Sequence, residues 1–161
     1  MSDHYSVIPN EDVGDRLFAA MGAYAGVYDG YLFSLIKRYI GEQYEHGLWE
    51  LRQYPNGALA LVLPSQDQVT VQGCSDLMSL EAVTLFLNIQ LLSTLCEVTF
   101  SKGDQSANER FHDLAHALRD AVSGLMRFVV DDQGISEPTE EHLSLPMHKH
   151  PESHLIYQLL D

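Results

Sequence analysis

The chain has 161 residues, 45% of them hydrophobic, which is enough for one domain with its own core and too few for two ordinary domains. Its 23 acidic and 9 basic residues give a formal net charge of −14 at pH 7, which argues against nucleic acid as a ligand. The acidity serves either the solubility of the chain or the binding of a basic partner. No apolar run reaches the roughly 18 residues of a membrane span, and residues 1–15 lack the features of a signal peptide. We therefore expect a cytoplasmic protein without a membrane-spanning segment.

Two helices are predicted before the first strand. The first covers residues 13–23 and has acidic residues near its start, where the helix dipole favours negative charge. The second shows apolar residues at helical spacing from Tyr28 to Ile40, and Gly41 can end it. We expect this second helix to pack its apolar face on the core.

A β-hairpin is predicted around Asn56-Gly57, because this pair strongly favours a two-residue type I′ turn. A two-residue loop places Arg52 opposite Leu61 and sets the register of both arms. The polar residues of the first arm suggest that it lies nearer the edge of the sheet.

The second arm of the hairpin, residues 58–63, is apolar at every position. This predicts an interior strand that is covered on both faces. Residues 68–72 alternate valines with polar residues and are predicted to add a third antiparallel strand to the same sheet.

Three helices are predicted in the second half of the chain. Ser79 is a suitable N-cap for a helix over residues 80–100, which is so apolar on all sides that we expect it in the centre of the core. A capping box at 106–109 predicts the next helix, whose apolar face continues to Val129. A short last helix is predicted to begin with Pro151 at its first position.

The segment 131–150 is polar and acidic and contains two prolines, which predicts a long mobile loop. Its large apolar residues are few, and we expect the segment to pack only through them: Ile135, Leu143 and Leu145. Its acidic side chains include Glu137, Glu140 and Glu141.

Groups with recognisable chemistry are sparse, since neither a phosphate-binding glycine loop nor a nucleophile elbow is present. The exception is His112 and His116, which lie four residues apart on a predicted helix and could share a zinc ion, with Asp113 between them. A metal-dependent hydrolase would need a third ligand, for which the candidates are His142, His148, His150 and His154. The other interpretation is a solvated helix face. We adopt this interpretation and predict neither a bound metal nor a cofactor.

Four motifs occur in a characteristic order: WELRQYPNGALALVLP, MSLEAVTLFLNIQLLSTL, ERFHDLAHALRD and HPESHLIYQLLD. This order resembles the ArdB/KlcA antirestriction proteins of plasmids, phages and genomic islands. The resemblance covers about residues 28–161 and implies a small α+β fold with an antiparallel sheet packed by helices. This agrees with the single domain over residues 1–161, with a hairpin plus a third strand and four to five helices, that the residues themselves predict. It also implies a protein that protects incoming DNA by acting on a type I restriction–modification complex, and we expect no enzymatic activity. The alternatives are a metal-dependent hydrolase that uses His112 and His116, and an acidic binding module unrelated to restriction.

The family joins its last two helices by a few residues, so residues 131–150 are predicted to be an insertion. A faithful DNA mimic of this size, about 40 Å across, would replace about 24 phosphate charges, whereas the whole chain carries a net charge of −14. We therefore expect contact with a protein surface instead of occupation of a DNA groove. The acidic residues assigned to that contact are Asp113, Asp120, Glu137, Glu140 and Glu141.

Overall fold

The computed structural model describes residues 4–44 and 47–161. Its α-helices are α1 Val13–Met21, α2 Ala25–Ile40, α3 Leu80–Ser101, α4 Gln105–Ser123, α5 Glu140–Ser144 and α6 Ser153–Leu160. Its strands are β1 Ser6–Val7, β2 Glu50–Gln53, β3 Leu59–Val62, β4 Gln68–Val69, β5 Met78–Ser79, β6 Val129–Asp131 and β7 Gly134–Ser136. The fold is α+β, as the sequence predicted.

The strands form three small antiparallel sheets. The largest has the order β1-β2-β3, so the strand that joins the hairpin is β1 from the N-terminal segment. The prediction that residues 68–72 extend this sheet was wrong, because β4 pairs with β5 instead. The third sheet is the hairpin of β6 and β7.

The turn between β2 and β3 has three residues instead of two. The backbone N–H of Tyr54 donates to the carbonyl of Ala58 at 2.9 Å, and only Gly57 takes a positive φ, of 87°. This is the geometry of a three-residue hairpin with glycine in the left-handed position. The register therefore differs by one residue from the prediction, and Arg52 lies opposite Ala60.

Asn56 explains why the type I′ turn does not form. Its side chain is fully buried and donates to the carbonyl of Ala117 in α4 at 2.9 Å, while its own side-chain oxygen accepts from Ala58 N–H at 3.1 Å. Its carbonyl accepts from Val130 N–H at 2.8 Å. The turn is thus fixed by α4 and β6, and tertiary contacts override the local preference of the Asn-Gly pair.

The free edge of β3 is covered by α3. Asn88 accepts from Leu61 N–H at 3.0 Å and donates to the Leu61 carbonyl at 2.8 Å, as a neighbouring strand would. The hydroxyl of Thr84 accepts from Leu63 N–H at 3.2 Å. By its pairing β3 is therefore an edge strand and β2 is the central strand, so the prediction that the first arm lies nearer the edge and the second inside the sheet was wrong. All four residues of β3 are nevertheless buried, and this accounts for an arm that is apolar at every position.

The predicted ends of the helices are partly confirmed. Gly41 follows α2, and the Ser79 side chain caps α3 by accepting from Ala82 N–H. The predicted capping box at 106–109 does not form, because α4 begins at Gln105 and Asp104 is its cap. The prediction that Pro151 is the first residue of the last helix was also wrong, since α6 begins at Ser153 with Glu152 as its N-cap.

Helix α3 passes through the core, as predicted. By length and composition alone it would suffice to span a membrane, and it is the one helix within the described ranges that would. Its most apolar window is, however, 61% buried by the rest of the protein. Its buried apolar residues pack against α2, α4, α6 and β3.

Residues 131–150 do not form the predicted long loop. The segment contains β7, and Thr139 caps α5 in a capping box with His142. The three apolar residues expected to anchor it are exposed: Ile135, Leu143 and Leu145. Its attachment lies further on, where Met147 packs on the core and His150 N–H donates to the Val122 carbonyl at 2.8 Å. Helix α4 ends at Ser123, so residue 129 belongs to β6.

Replacement of Asn88 by alanine is expected to destabilise the protein by about 3–4 kcal/mol. The change leaves the N–H and carbonyl of Leu61 and the hydroxyl of Tyr28 without a partner in the core, and each buried unpaired group costs about 1–3 kcal/mol. Chemical denaturation measures the difference. Thr94→Ala, an exposed site on the same helix, is the control and should stay within about 0.5 kcal/mol of the parent protein.

Candidate functional site

The second and fourth sequence motifs meet at the start of α3. The carboxylate of Glu152 accepts from the backbone N–H of Ser79 at 2.9 Å and from the Ser79 hydroxyl. The same hydroxyl oxygen accepts from Ala82 N–H at 3.1 Å, as an N-cap does. The two motifs are therefore joined by direct hydrogen bonds, although 73 residues separate Ser79 from Glu152.

His150 makes the second bond between these motifs. Its Nδ1 accepts from the backbone N–H of Glu152 at 3.0 Å, so the proton of the neutral ring lies on Nε2. That Nε2 donates to Glu81 Oε1 at 2.6 Å. The two side chains are only 11% and 16% exposed, and the pair is therefore a shielded contact between the segment before α6 and the first turn of α3.

Arg52 extends this cluster to the large sheet. Its guanidinium donates to Glu81 at 3.0 Å and to Glu50 at 2.7 Å, and it lies 4.1 Å from the centre of the Tyr5 ring. The Arg52 side chain is only 3% exposed. One buried cation thus links β2 to α3, and Glu81 links both to His150.

The electrostatics of the cluster favour an ionised Glu81. The hydrogen bond from His150 lowers the pKa of Glu81 to about 2; burial opposes this change, and the Arg52 guanidinium reinforces it. The hydroxyl of Ser79 is buried and bonded on both sides, so it is not placed to act as a nucleophile. The cluster fixes the fold and offers no reacting group.

From the sequence, Ser79 was identified only as the cap of a helix, and Glu81 was given no role. No role was assigned to Arg52 or Glu152 either, and His150 was considered only as a metal ligand. The sequence feature that could have indicated this cluster is the joint presence of the MSLE and HPE motifs. The structure explains their joint presence, because their side chains hydrogen-bond to each other and to the backbone.

The acidic residues assigned to a partner contact fall into different environments. Glu137, Glu140 and Glu141 are exposed and lie together at the start of α5, and Asp113 is half-buried on α4. Asp120 is only 1% exposed and accepts from Arg127 Nε at 3.1 Å. A partner could contact the Asp120 carboxylate only by displacing Arg127.

Asp113 lines a polar cleft of about 480 Å³ between the end of α1, the first turns of α4 and the β6–β7 turn. Arg110 holds this cleft together, since its Nε donates to the Ala20 carbonyl at 2.7 Å and its terminal nitrogen lies 3.6 Å from Asp132. The other acidic side chains at the cleft are Asp104 and Glu109.

A second cleft, of about 610 Å³, lies between α2 and α3 and has mainly apolar walls. Its α2 side includes Val27 and Tyr31, which are about half exposed, and its α3 side includes Leu95 and Val98. We refer to it as the α2–α3 groove.

His112 and His116 are brought together as predicted, on the exposed face of α4, with 4.3 Å between their ring centres. Burial lowers the pKa of His116, and the nearby His112 lowers it further. No set of three metal-ligating side chains occurs among residues 4–44 and 47–161. The described residues thus supply two of the three protein ligands that a catalytic zinc site requires.

Replacing Glu81 by glutamine is expected to remove about 3 kcal/mol of stability at neutral pH, the equivalent of a pKa that falls from 4.5 to about 2 on folding. Because the pKa is lower in the folded state, this stability is complete above about pH 4.5 and disappears as the pH falls toward 2. The free energy of unfolding, measured by denaturation at several pH values in this range, should therefore change less with pH in Glu81→Gln than in the parent protein. Glu97→Gln, exposed on the same helix, should keep the pH dependence of the parent protein; equal loss in both variants would contradict the assignment.

Comparison with known proteins finds no matching family model and no matching curated protein. A similar solved structure comes from work on the KlcA and ArdB proteins, described as having a novel fold and antirestriction activity against type I DNA restriction systems in vivo but not in vitro. The two chains superpose with a TM-score of 0.68 at 17% identity, over 98% of this chain and 94% of the other. This confirms the fold that the sequence motifs implied: the chain has the fold of the KlcA and ArdB proteins.

Proposed function

We propose that this protein is an antirestriction protein of the ArdB/KlcA type that acts in the cytoplasm against type I restriction–modification systems. The observation that carries the proposal is the structural likeness to KlcA/ArdB over 98% of the chain. The contact between Ser79–Glu81 and His150–Glu152 adds support, because it joins two of the motifs on which the sequence resemblance rests.

The proposed mechanism is binding to a restriction complex as a protein partner, without close imitation of DNA. Several carboxylates are already paired with arginines of the same chain, as in the ion pairs of Glu50 and Glu81 with Arg52 and of Asp120 with Arg127. These groups cannot stand in for phosphates on an outer surface. The net charge of −14 already counts these arginines, and it falls short of the roughly 24 phosphate charges of a duplex about 40 Å long, which carries one charge about every 1.7 Å.

A non-enzymatic role fits the chemistry of the described residues. No buried side-chain nitrogen or oxygen among the described residues lacks a hydrogen-bond partner, and His112 and His116 supply two of the three protein ligands that a zinc hydrolase needs. The exposed acidic residues of the α5 region, Glu137, Glu140 and Glu141, are the proposed contact with a basic surface of the partner.

Expression of the protein in a host with an active type I system should raise the plating efficiency of unmodified phage toward that on a host without restriction. The test belongs in cells, because the similar KlcA and ArdB proteins act in vivo but not in vitro. Phage that already carries the host modification should plate equally well with and without the protein. No rise at full soluble expression would contradict the proposed function.

The contact surface is tested by a triple variant, Glu137→Gln with Glu140→Gln and Glu141→Gln, which removes three exposed charges without filling or emptying the core. We expect this variant to fold normally and to lose most of the rise in phage plating, because basic and acidic surfaces select each other through their charges.

The matched control removes three exposed carboxylates elsewhere: Glu42→Gln, Asp67→Asn and Glu97→Gln. It should keep full activity. If both triple variants remain active while the parent protein is active, the α5 region is not the contact, and the α2–α3 groove becomes the next surface to test.

A further inference from the structure

The histidine pair on α4 has the geometry of a chelate. His112 and His116 are four residues apart, so they lie one above the other on the same helix face. Their ring centres are 4.3 Å apart with the planes tilted by 48°, and both side chains are exposed. The nitrogen atoms of such a pair can reach one ion placed between the rings and solvent.

Asp113 prepares one of these rings for metal binding. Its Oδ1 lies 3.4 Å from His112 Nδ1. In the tautomer that carries the proton on Nδ1, this nitrogen donates to the carboxylate and the lone pair of Nε2 is free, which is the usual arrangement around metal-bound histidines. The neighbouring carboxylate thus favours the ring form that acts as a ligand.

The helix that carries the pair is rigid, because its opposite face is buried. Phe111, Leu114 and Leu118 are all at most 2% exposed and pack in the core. The helix is therefore already folded before a metal ion binds. The two rings need only small rotations about their side-chain bonds to point their nitrogen atoms at one ion.

We propose that His112 and His116 form a binding site for a divalent transition-metal ion. The class of ion follows from the ligands: imidazole nitrogens suit Cu²⁺, Ni²⁺ and Zn²⁺, whereas Mg²⁺ and Ca²⁺ prefer oxygen. The described residues offer no third histidine, cysteine or carboxylate in position, so water completes the coordination. The site goes beyond the proposed antirestriction role and is independent of it.

The site is tested by calorimetric titration of protein that carries no His tag with NiCl₂, ZnCl₂ and, separately, MgCl₂. We expect one Ni²⁺ or Zn²⁺ ion per chain and no binding of Mg²⁺. His112→Ala and His116→Ala should each weaken binding about tenfold or more, because the second ring binds with the advantage of an intramolecular step. Asp113→Asn should have a smaller effect in the same direction.

His154→Ala is the matched control, since His154 is exposed on α6 and lies away from the pair in sequence. It should bind metal as the parent protein does, and all variants should keep the parent melting temperature without metal. Unchanged affinity in His112→Ala or His116→Ala, loss of affinity in His154→Ala, or the absence of any Ni²⁺ or Zn²⁺ binding would each overturn the proposal.

Discussion

The fold depends on the way α3 satisfies the open edge of β3. A buried strand edge must find partners for its N–H and carbonyl groups. Here Asn88 and Thr84 supply them from a stretch of α3 in which the residues beside them, Val83, Leu85, Leu87 and Ile89, are buried and apolar. This constraint explains both unusual parts of the sequence: the strand has no solvent-facing side, and the helix carries two polar residues in its most buried half. The hairpin, α2 and α4 then pack around this strand–helix pair.

The cluster around Glu81 shows how motifs far apart in sequence act as one structural unit. A cap at the start of α3 would be satisfied by Ser79 alone, yet Glu152 and His150 add bonds from the segment before α6, and Arg52 adds one from the sheet. These bonds bring three parts of the chain to one point.

Local signals sufficed to predict five of the six described α-helices, whereas α5 lies in a segment that was predicted to be a loop. Long-range contacts decided several of the other features that were missed. The end of α2 at Gly41 and the cap at Ser79 follow from neighbouring residues. The hairpin register does not, because the Asn56 amide is bound by α4 instead of shaping a type I′ turn. The exposed histidine pair was visible from its spacing alone. The cluster around Glu81 could not be predicted in this way, since the binding of Arg52 and His150 to the Glu81 carboxylate depends on tertiary structure.

The separation of the joined motifs also has a consequence for folding kinetics. His150 and Glu152 lie 69 and 73 residues after their partners, so the bonds close large loops, and such contacts form late because the loop entropy is lost first. During synthesis, α3 emerges from the ribosome well before α4 and α6 can cover it. Until α4 and α6 pack on it, the exposed apolar surface of α3 is prone to association with other chains. The speed with which the later helices dock, more than the final stability, is therefore what protects the nascent protein from aggregation.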